Sequence, residues 1–357
     1  MVQNDGASHG AIRLGYVGGA HLHFGGLLAA GLASPTANVV GMVIEDAELR
    51  DAMQAQHEDV PVFLTAEELY AAAEPQAIVT CATNRQAPGI VAAAAQRGIH
   101  VMKEKPMAST LALAGQMAAT AARHGVRLMV NWPTAWWPAW HHARTLVDAG
   151  AIGAVWQVHH RLGHGGPPAG FDAGGPVGRV GWGWLVDREE NGGGAAVDFC
   201  SYGALLSRWI MGMPAAVTGV GGRYVKDFFT VEDNSVMILH YARGHSIAEG
   251  TWSQPAVPVD IPAMIYGENG AIALTSPTEL AIKRVGDDAA ETIVAPELPE
   301  HARNGIDAFT AALLRDEPFP DLVSAALARD TQEIVEAGLE SMRTGQRVGL
   351  PLPAFLA

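Results

Sequence analysis

Two clusters of residues in this 357-residue chain carry types and spacings that can do chemistry. The first is the run His100-Val101-Met102-Lys103-Glu104-Lys105-Pro106. Its apolar start reads as a buried strand, and Pro106 stiffens the backbone where that strand leaves its sheet. In an open α/β sheet this carboxyl edge is where ligands bind. A lysine there, Lys105, can be partly desolvated, which lowers its pKa and lets it exchange a proton or polarise a carbonyl. Lys103 reads as structural. The second cluster is Asn191-Gly192-Gly193-Gly194-Ala195-Ala196-Val197-Asp198-Phe199-Cys200-Ser201-Tyr202. On one helix Asp198 and Tyr202 stand at i and i+4 and share a face. The glycines let a loop pass close to a ligand without a side-chain clash. A phenol, with a reference pKa of about 10, is a weaker base than imidazole at neutral pH. A neighbouring lysine cation would lower that pKa.

A dinucleotide site is read near the N-terminus. After a first apolar run the chain turns through Gly18-Gly19-Ala20-His21-Leu22-His23. A dinucleotide fingerprint places G-x-G-x-x-G here, for a tight turn, close backbone approach to pyrophosphate and close helix packing. The pattern Gly18-x-Ala20-x-x-His23 keeps only the first glycine. The helix it opens still presents N–H groups to an anion. Glu45 follows His23 by 22 residues at the end of the next apolar run, near the usual spacing of the acidic residue that accepts from the ribose 2′-OH. This favours NAD and leaves NADP possible, with Arg50 close by in sequence. Thr83, Asn84, Glu104 and Lys105 complete the candidate cofactor set.

The elements that must hold these residues follow from the pattern. Apolar runs at Ile12–Val17, Val39–Ile44, Ala77–Cys81, Ile99–Met102 and Arg127–Val130 alternate with helical segments at about 22–33, 47–56, 66–73, 86–97 and 110–123. That alternation predicts a doubly wound parallel sheet over residues 11–130. Gly98 and Gly125 stand where helices stop, and Thr65 with Glu68 forms a capping box. Residues 1–10 read as a disordered lead-in. Residues 131–357 predict an α+β domain. It starts with a helix near 138–149 and a strand at Ala154–Arg161, followed by a Gly/Pro/Trp-rich loop at 163–184 and a helix near 198–211. A series of mostly antiparallel strands between 215 and 294 comes next, and helices near 302–315 and 321–343 close the chain.

Taken together, the Glu-Lys-Pro strand end, the Asn-containing turn Thr83-Asn84-Arg85 before it and the glycine run with Asp198 and Tyr202 resemble the glucose–fructose oxidoreductase/inositol dehydrogenase (Gfo/Idh/MocA) family. The tyrosine matches the branch that resembles glucose–fructose oxidoreductase and dihydrodiol dehydrogenase. The closing segments Asn304–Phe309, Pro320–Ser324 and Asp330–Gly338 are similar to the family's last helices, which lean back on the Rossmann domain. Over about residues 11–351 the resemblance implies a nicotinamide-dependent dehydrogenase or reductase acting on the CH–OH groups of a sugar, cyclitol or related polyol. Lys105, Tyr202 and Asp198 would carry the chemistry. It also implies paired C-terminal sheets, hence a homodimer or homotetramer. Two alternatives stand beside it: a redox-neutral NAD-dependent lyase or glycosidase using transient oxidation, and a non-catalytic cofactor-binding sensor.

Several further residues are candidate contacts. His160, Arg161 and His164, where a strand enters the loop, and Trp182 with Trp184 inside it, are candidate substrate contacts; aromatic faces stack on sugar rings. Trp132, Trp136, Trp137 and Trp140 read as packing residues. The pairs His141-His142 and His159-His160 lack metal-ligand spacing, and no metal is expected. A net charge of −14 argues against nucleic acid and anionic membranes as partners. With 49% hydrophobic and 17% charged residues the chain has material for a sizeable core. Only Cys81 and Cys200 are present, and no apolar run approaches a membrane span, so a reducing, cytoplasmic setting is expected.

Overall fold

The computed structural model describes residues 10–353 apart from 255 and 257–261. The lead-in expected at 1–10 lies, except for Gly10, outside the described residues. The first half is a six-stranded parallel sheet in the order β3-β2-β1-β4-β5-β6, built from β1 (Ile12–Val17), β2 (Ala37–Val43), β3 (Val62–Phe63), β4 (Ala77–Thr80), β5 (His100–Glu104) and β6 (Leu128–Asn131). The order reverses at β1, which puts a crevice at the carboxyl ends of β1 and β4. Five helices cover the sheet: α1 (Phe24–Ala33), α2 (Ala47–Gln56), α3 (Ala66–Ala73), α4 (Ala87–Ala95) and α5 (Leu111–Arg123). Their starts are set by side-chain caps. Asp46 accepts from Leu49 N, Thr65 from Glu68 N and Thr110 from Leu113 N. The Glu68 carboxylate caps Leu64 N rather than returning to Thr65, so the predicted box is open on one side. Gly98 and Gly125 adopt φ of 71° and 66°, as their place after helices requires. The short edge strand β3 carries no alternation long enough to be read in advance.

The second half begins with α6 (Pro138–Asp148) and β7 (Val155–Gly163). The 163–184 segment, expected as a loop, contains α7 (Gly175–Gly183), followed by the single turn α8 (Arg188–Asn191) and then α9 (Ser201–Met211). Glycines at 175, 178, 181 and 183 hide α7 from a propensity reading. Gly181 sits where a Cβ would run into Leu22, so tertiary packing on the first domain sustains the helix. The sheet is completed by β8 (Ala216–Gly222), β9 (Asn234–Tyr241), β10 (Gly244–Thr251), β11 (Ala263–Gly267), β12 (Gly270–Leu274), β13 (Glu279–Arg284), β14 (Glu291–Val294) and β15 (Val348–Gly349). Its order is β14-β13-β12-β11-β7-β10-β9-β8-β15, antiparallel except for the parallel pair β7–β10.

One face of this sheet packs on α9 and on α11 (Ala325–Thr344). Together with α10 (Gly305–Leu314), α11 returns to the first domain, and Thr36 meets Thr310 across that join at 2.7 Å. The other face is open. It exposes Trp156, Val220 and Ile238 at 40%, 63% and 37%. No helix among the described residues is long and apolar enough to cross a membrane.

Candidate active site

Lys105 follows directly on β5, at the carboxyl edge of the parallel sheet. It is 3% exposed, and its Nζ lies 2.6 Å from Asp198 Oδ1. Trp252, just beyond β10, donates from Nε1 to the other Asp198 oxygen at 2.8 Å. Asp198 lies in a five-residue π turn, Ala196–Cys200, that runs into α9, the kind of irregularity that recurs at functional sites. Tyr202 sits one turn on in α9, with the lysine ammonium 5.1 Å from its ring centre. Trp132 packs edge-on against that ring at 5.3 Å, and His160 and Phe199 flank it at 6.4 Å each. The two sequence clusters therefore meet, although 93 residues separate Lys105 from Asp198.

The electrostatics of the trio differ from the sequence expectation. Burial pulls the Lys105 pKa down, but the charge and hydrogen bond of Asp198, with Tyr202 and Glu104, outweigh it, and the net shift is upward. Burial pushes the Asp198 carboxyl up, and Lys105 and the Trp252 N–H reverse that, leaving it below its ordinary value. For Tyr202 burial dominates. Lys105 offsets only part of it, and the phenol stays well above 10. In this state the site holds an ammonium, a carboxylate and a neutral phenol. Lys105 and Tyr202 are set to donate protons, not to take them.

The glycine run serves the protein's own backbone. Gly192 has φ of +95°, and a Cβ there would strike the Ser109 carbonyl. At Gly194 a Cβ would strike the Glu232 carbonyl. The loop is thus pressed onto the segment that follows Lys105, which brings Asp198 to the lysine. Asn84 is spent in the same way. Fully buried, its amide donates to Asn191 O and Oδ1 at 3.1 and 2.9 Å and holds the loop in place. Lys103, read as structural, is also fully buried and bonds Asn84 at 3.4 Å and the Glu104 carbonyl.

Gly18, Gly19, Ala20, Glu45 and Thr83 line one cleft of about 180 Å³, roofed by Val180 of α7 and by Trp184. Gly18 has φ of +81°, and a Cβ there would lie 2.7 Å from the Ala82 Cβ, so only glycine fits. Trp184, a candidate substrate contact, donates to Ala20 O at 3.0 Å and lines this cleft. His21 is buried beside His23. Burial first, then the charges of His23, Lys105 and Lys103, hold its pKa well below the ordinary value. His23 replaces the third glycine of the fingerprint and precedes α1 without making a side-chain capping bond; its Nδ1 meets Glu104 Oε1 at 2.9 Å instead. The residues present suit a dinucleotide: a glycine turn, a helix start and an acidic side chain at the end of β2 share one crevice.

The candidate substrate contacts divide. His164 turns its ring to Phe199 at 4.9 Å and Trp182 at 6.0 Å, and it feels both Asp198 and Lys105. His160 is fully enclosed between Trp140 and Tyr202, so it cannot touch a ligand. Burial holds its pKa down at about 3. Arg161 points to the open face of the sheet, where it binds Glu249 at 2.8 Å, because successive strand residues alternate faces. Trp132 and Trp140 are buried core, as read. Trp252 was missed; its chemistry depends on a contact 54 residues away in sequence, which no local pattern announces.

Family comparisons agree with this layout. The oxidoreductase family with an NAD-binding Rossmann fold matches residues 13–132, and the GFO/IDH/MocA C-terminal domain matches residues 140–273. The chain belongs to the GFO/IDH/MocA family. It is an NAD-binding oxidoreductase. Among curated proteins it is similar to a D-xylose 1-dehydrogenase [NADP(+)] of Haloarcula marismortui, 25% identical over 288 residues that make up 78% of each chain. Among solved structures its fold matches the aldose–aldose oxidoreductase of Caulobacter crescentus, with TM-score 0.78, 21% identity and 95% and 100% of the two chains covered. It also matches levoglucosan dehydrogenase in complex with NADH and levoglucosan, with TM-score 0.79, 18% identity and 96% and 100% covered.

Proposed function

We propose that this GFO/IDH/MocA protein transfers hydride between nicotinamide and a CH–OH carbon of a sugar, cyclitol or related polyol. The observation that carries the proposal is the buried Lys105–Asp198–Tyr202 cluster at the carboxyl edge of the Rossmann sheet, beside the glycine turn. The turn Gly18–His23, Glu45 and Thr83 would hold the dinucleotide, which supplies the hydride acceptor or donor when bound. Lys105 and Tyr202 then manage the substrate oxygen. As the alcohol carbon loses hydride, its hydroxyl proton must leave to the phenolate form of Tyr202, a minor form at neutral pH because burial raises that pKa, so oxidation draws on the small deprotonated fraction. In the reverse direction Tyr202 and Lys105 donate to the carbonyl oxygen as negative charge develops there. Asp198 keeps Lys105 charged and aimed. The sugar-dehydrogenase relatives support the substrate class. A panel of sugars, cyclitols and polyols assayed with both cofactors at the nicotinamide absorbance tests the reading. Net absorbance change is expected. Substrate consumption with no net change would replace it with redox-neutral chemistry, and no consumption across the panel would remove it.

NAD preference is part of the proposal. Glu45 lines the cofactor cleft and carries a negative charge where a 2′-phosphate would add another. NADH is expected to bind the wild type more tightly than NADPH, and Glu45→Ala should narrow the gap by about tenfold, the cost of one unfavourable charge contact of about 1.4 kcal/mol. Calorimetry showing tighter NADPH binding by the wild type would overturn the role of Glu45.

A homodimer or homotetramer built on the open sheet face is also proposed. Val236 and Ile238 face outward, with Val220, Ile247 and Trp156 beside them. Leu239, the next residue after Ile238, points into the core. A contiguous apolar face of this kind is normally covered. Light scattering should give a multiple of the monomer mass, and Ile238→Lys should shift it toward the monomer. A monomer mass at all concentrations tested would refute this.

A further inference from the structure

We propose that His21, His23 and Glu104 form a site for a borderline transition-metal dication such as Zn²⁺, which competes with the dinucleotide for the same crevice. One ligand atom from each side chain lies within 4.8 Å of the others, the one such grouping among the described residues. It is not among the histidine pairs whose sequence adjacency draws attention, His141-His142 and His159-His160. Two imidazoles and one carboxylate are the donor set of open zinc sites, which keep a further position for water or another ligand. Tetrahedral coordination at bond lengths of about 2.0–2.2 Å needs ligand atoms about 3.3 Å apart. His23 Nδ1 and Glu104 Oε1 are already at 2.9 Å. The remaining contraction falls to His21 and to the His23 ring, whose side chain is 42% exposed and free to adjust.

The surroundings orient this set as outer partners do in metal sites. Asn131 Nδ2 donates to Glu104 Oε2 at 2.6 Å, and Trp136 Nε1 in turn holds Asn131 Oδ1 at 2.8 Å. One carboxylate oxygen is thereby occupied, and the other is aimed at His23. His21 Nδ1 accepts from the backbone N–H of His23 at 3.1 Å, so ligation requires the ring to give up that contact or to move its proton from Nε2 to Nδ1; the two imidazole rings lie 4.4 Å apart. Lys105 is one opposing charge felt by His21, and Asp198 pairs with it at 2.6 Å. The buried Lys103 is a second opposing charge, turned toward Asn84 and the Glu104 carbonyl. That the ion competes with the cofactor rests on the dinucleotide reading of the Gly18–His23 turn; that it binds at all does not.

Cobalt is the probe, because tetrahedral Co²⁺ absorbs visibly where hydrated Co²⁺ barely does. Titrating chelator-treated, cofactor-free protein with CoCl₂ should give intense visible bands that saturate at one equivalent, and ZnCl₂ should bleach them. His23→Gly, which restores the family's third glycine, and Glu104→Gln should each weaken Co²⁺ binding by at least about 10-fold. His159→Ala, on the open sheet face, should not. Circular dichroism shows which variants are folded, and the half-exposed His23 keeps one folded variant available. No saturable bands in the wild type, or bands that survive His23→Gly, would overturn the site. Saturating NADH should remove the bands; bands that persist with NADH bound would overturn the competition. NADH binding to the metal-free wild type, followed by fluorescence, is the separate check on the cofactor reading.

Discussion

Lys105→Ala is expected to lower turnover by about 10²–10⁴-fold while changing NADH affinity only a few-fold, because this side chain serves the substrate oxygen. The structure adds a complication. Removing the ammonium leaves Asp198, 6% exposed, with the Trp252 N–H as its one side-chain hydrogen-bond partner among the described residues. Breaking one side of a buried ion pair typically costs about 3–5 kcal/mol. A fall in activity could then be a fall in folded protein. The Lys105→Met/Asp198→Asn double variant removes both charges and keeps similar volume, so it should recover most of the melting temperature and none of the turnover. If it recovered turnover along with stability, Lys105 would be a structural residue and the proposed chemistry would lose its acid.

The regions that folded as read are those where one local signal suffices. Apolar runs punctuated by Thr65, Thr110, Gly98 and Gly125 specify the Rossmann helices and strands, since caps and turn glycines act within four residues. The meeting of Lys105 with Asp198 and Tyr202 was also legible, but only because both motifs resemble one family. Nothing in their spacing brings residues so far apart together. What stayed hidden depends on three-dimensional register. His160 and Arg161 are neighbours in sequence and were read alike, yet the pleat of β7 seals one in the core and turns the other to the open face. The pleat of β9 likewise buries Leu239 and exposes its neighbour Ile238. The glycine-rich α7 is held by packing on Leu22 and by Arg179, which pairs with Asp46 and Glu48 at 3.0 Å each, contacts invisible to propensity. His23 was read as a damaged glycine position. In the structure it makes a new contact, with Glu104, and so changes what the turn can bind.

Tyr202→Phe separates chemistry from packing, since it keeps the ring among Trp132, His160 and Phe199 and removes only the hydroxyl. Turnover is expected to fall by about 10²-fold or more, with the fold and melting temperature nearly unchanged. The pH dependence identifies the group. Oxidation needs the deprotonated phenol, and burial holds that pKa well above 10, against the partial pull of Lys105. Below its pKa the deprotonated fraction grows tenfold per pH unit, so kcat/KM for oxidation should climb without a plateau from neutral pH to about 9. Reduction uses the protonated phenol and should be flat over the same range. Two other groups near the trio titrate. Lys103, which burial lowers to about 8, is spent on Asn84 and the Glu104 carbonyl. His164 has a pKa that burial, only partly opposed by Asp198, keeps below 6.5. A base of that kind would give a plateau already at neutral pH. The Phe variant should lose the alkaline climb, and Lys105→Ala/Tyr202→Phe should be little worse than the worse single change, because groups that act on one oxygen as a unit are not additive. A wild-type plateau at pH 7, unchanged by Tyr202→Phe, would move the proton from the phenol to His164.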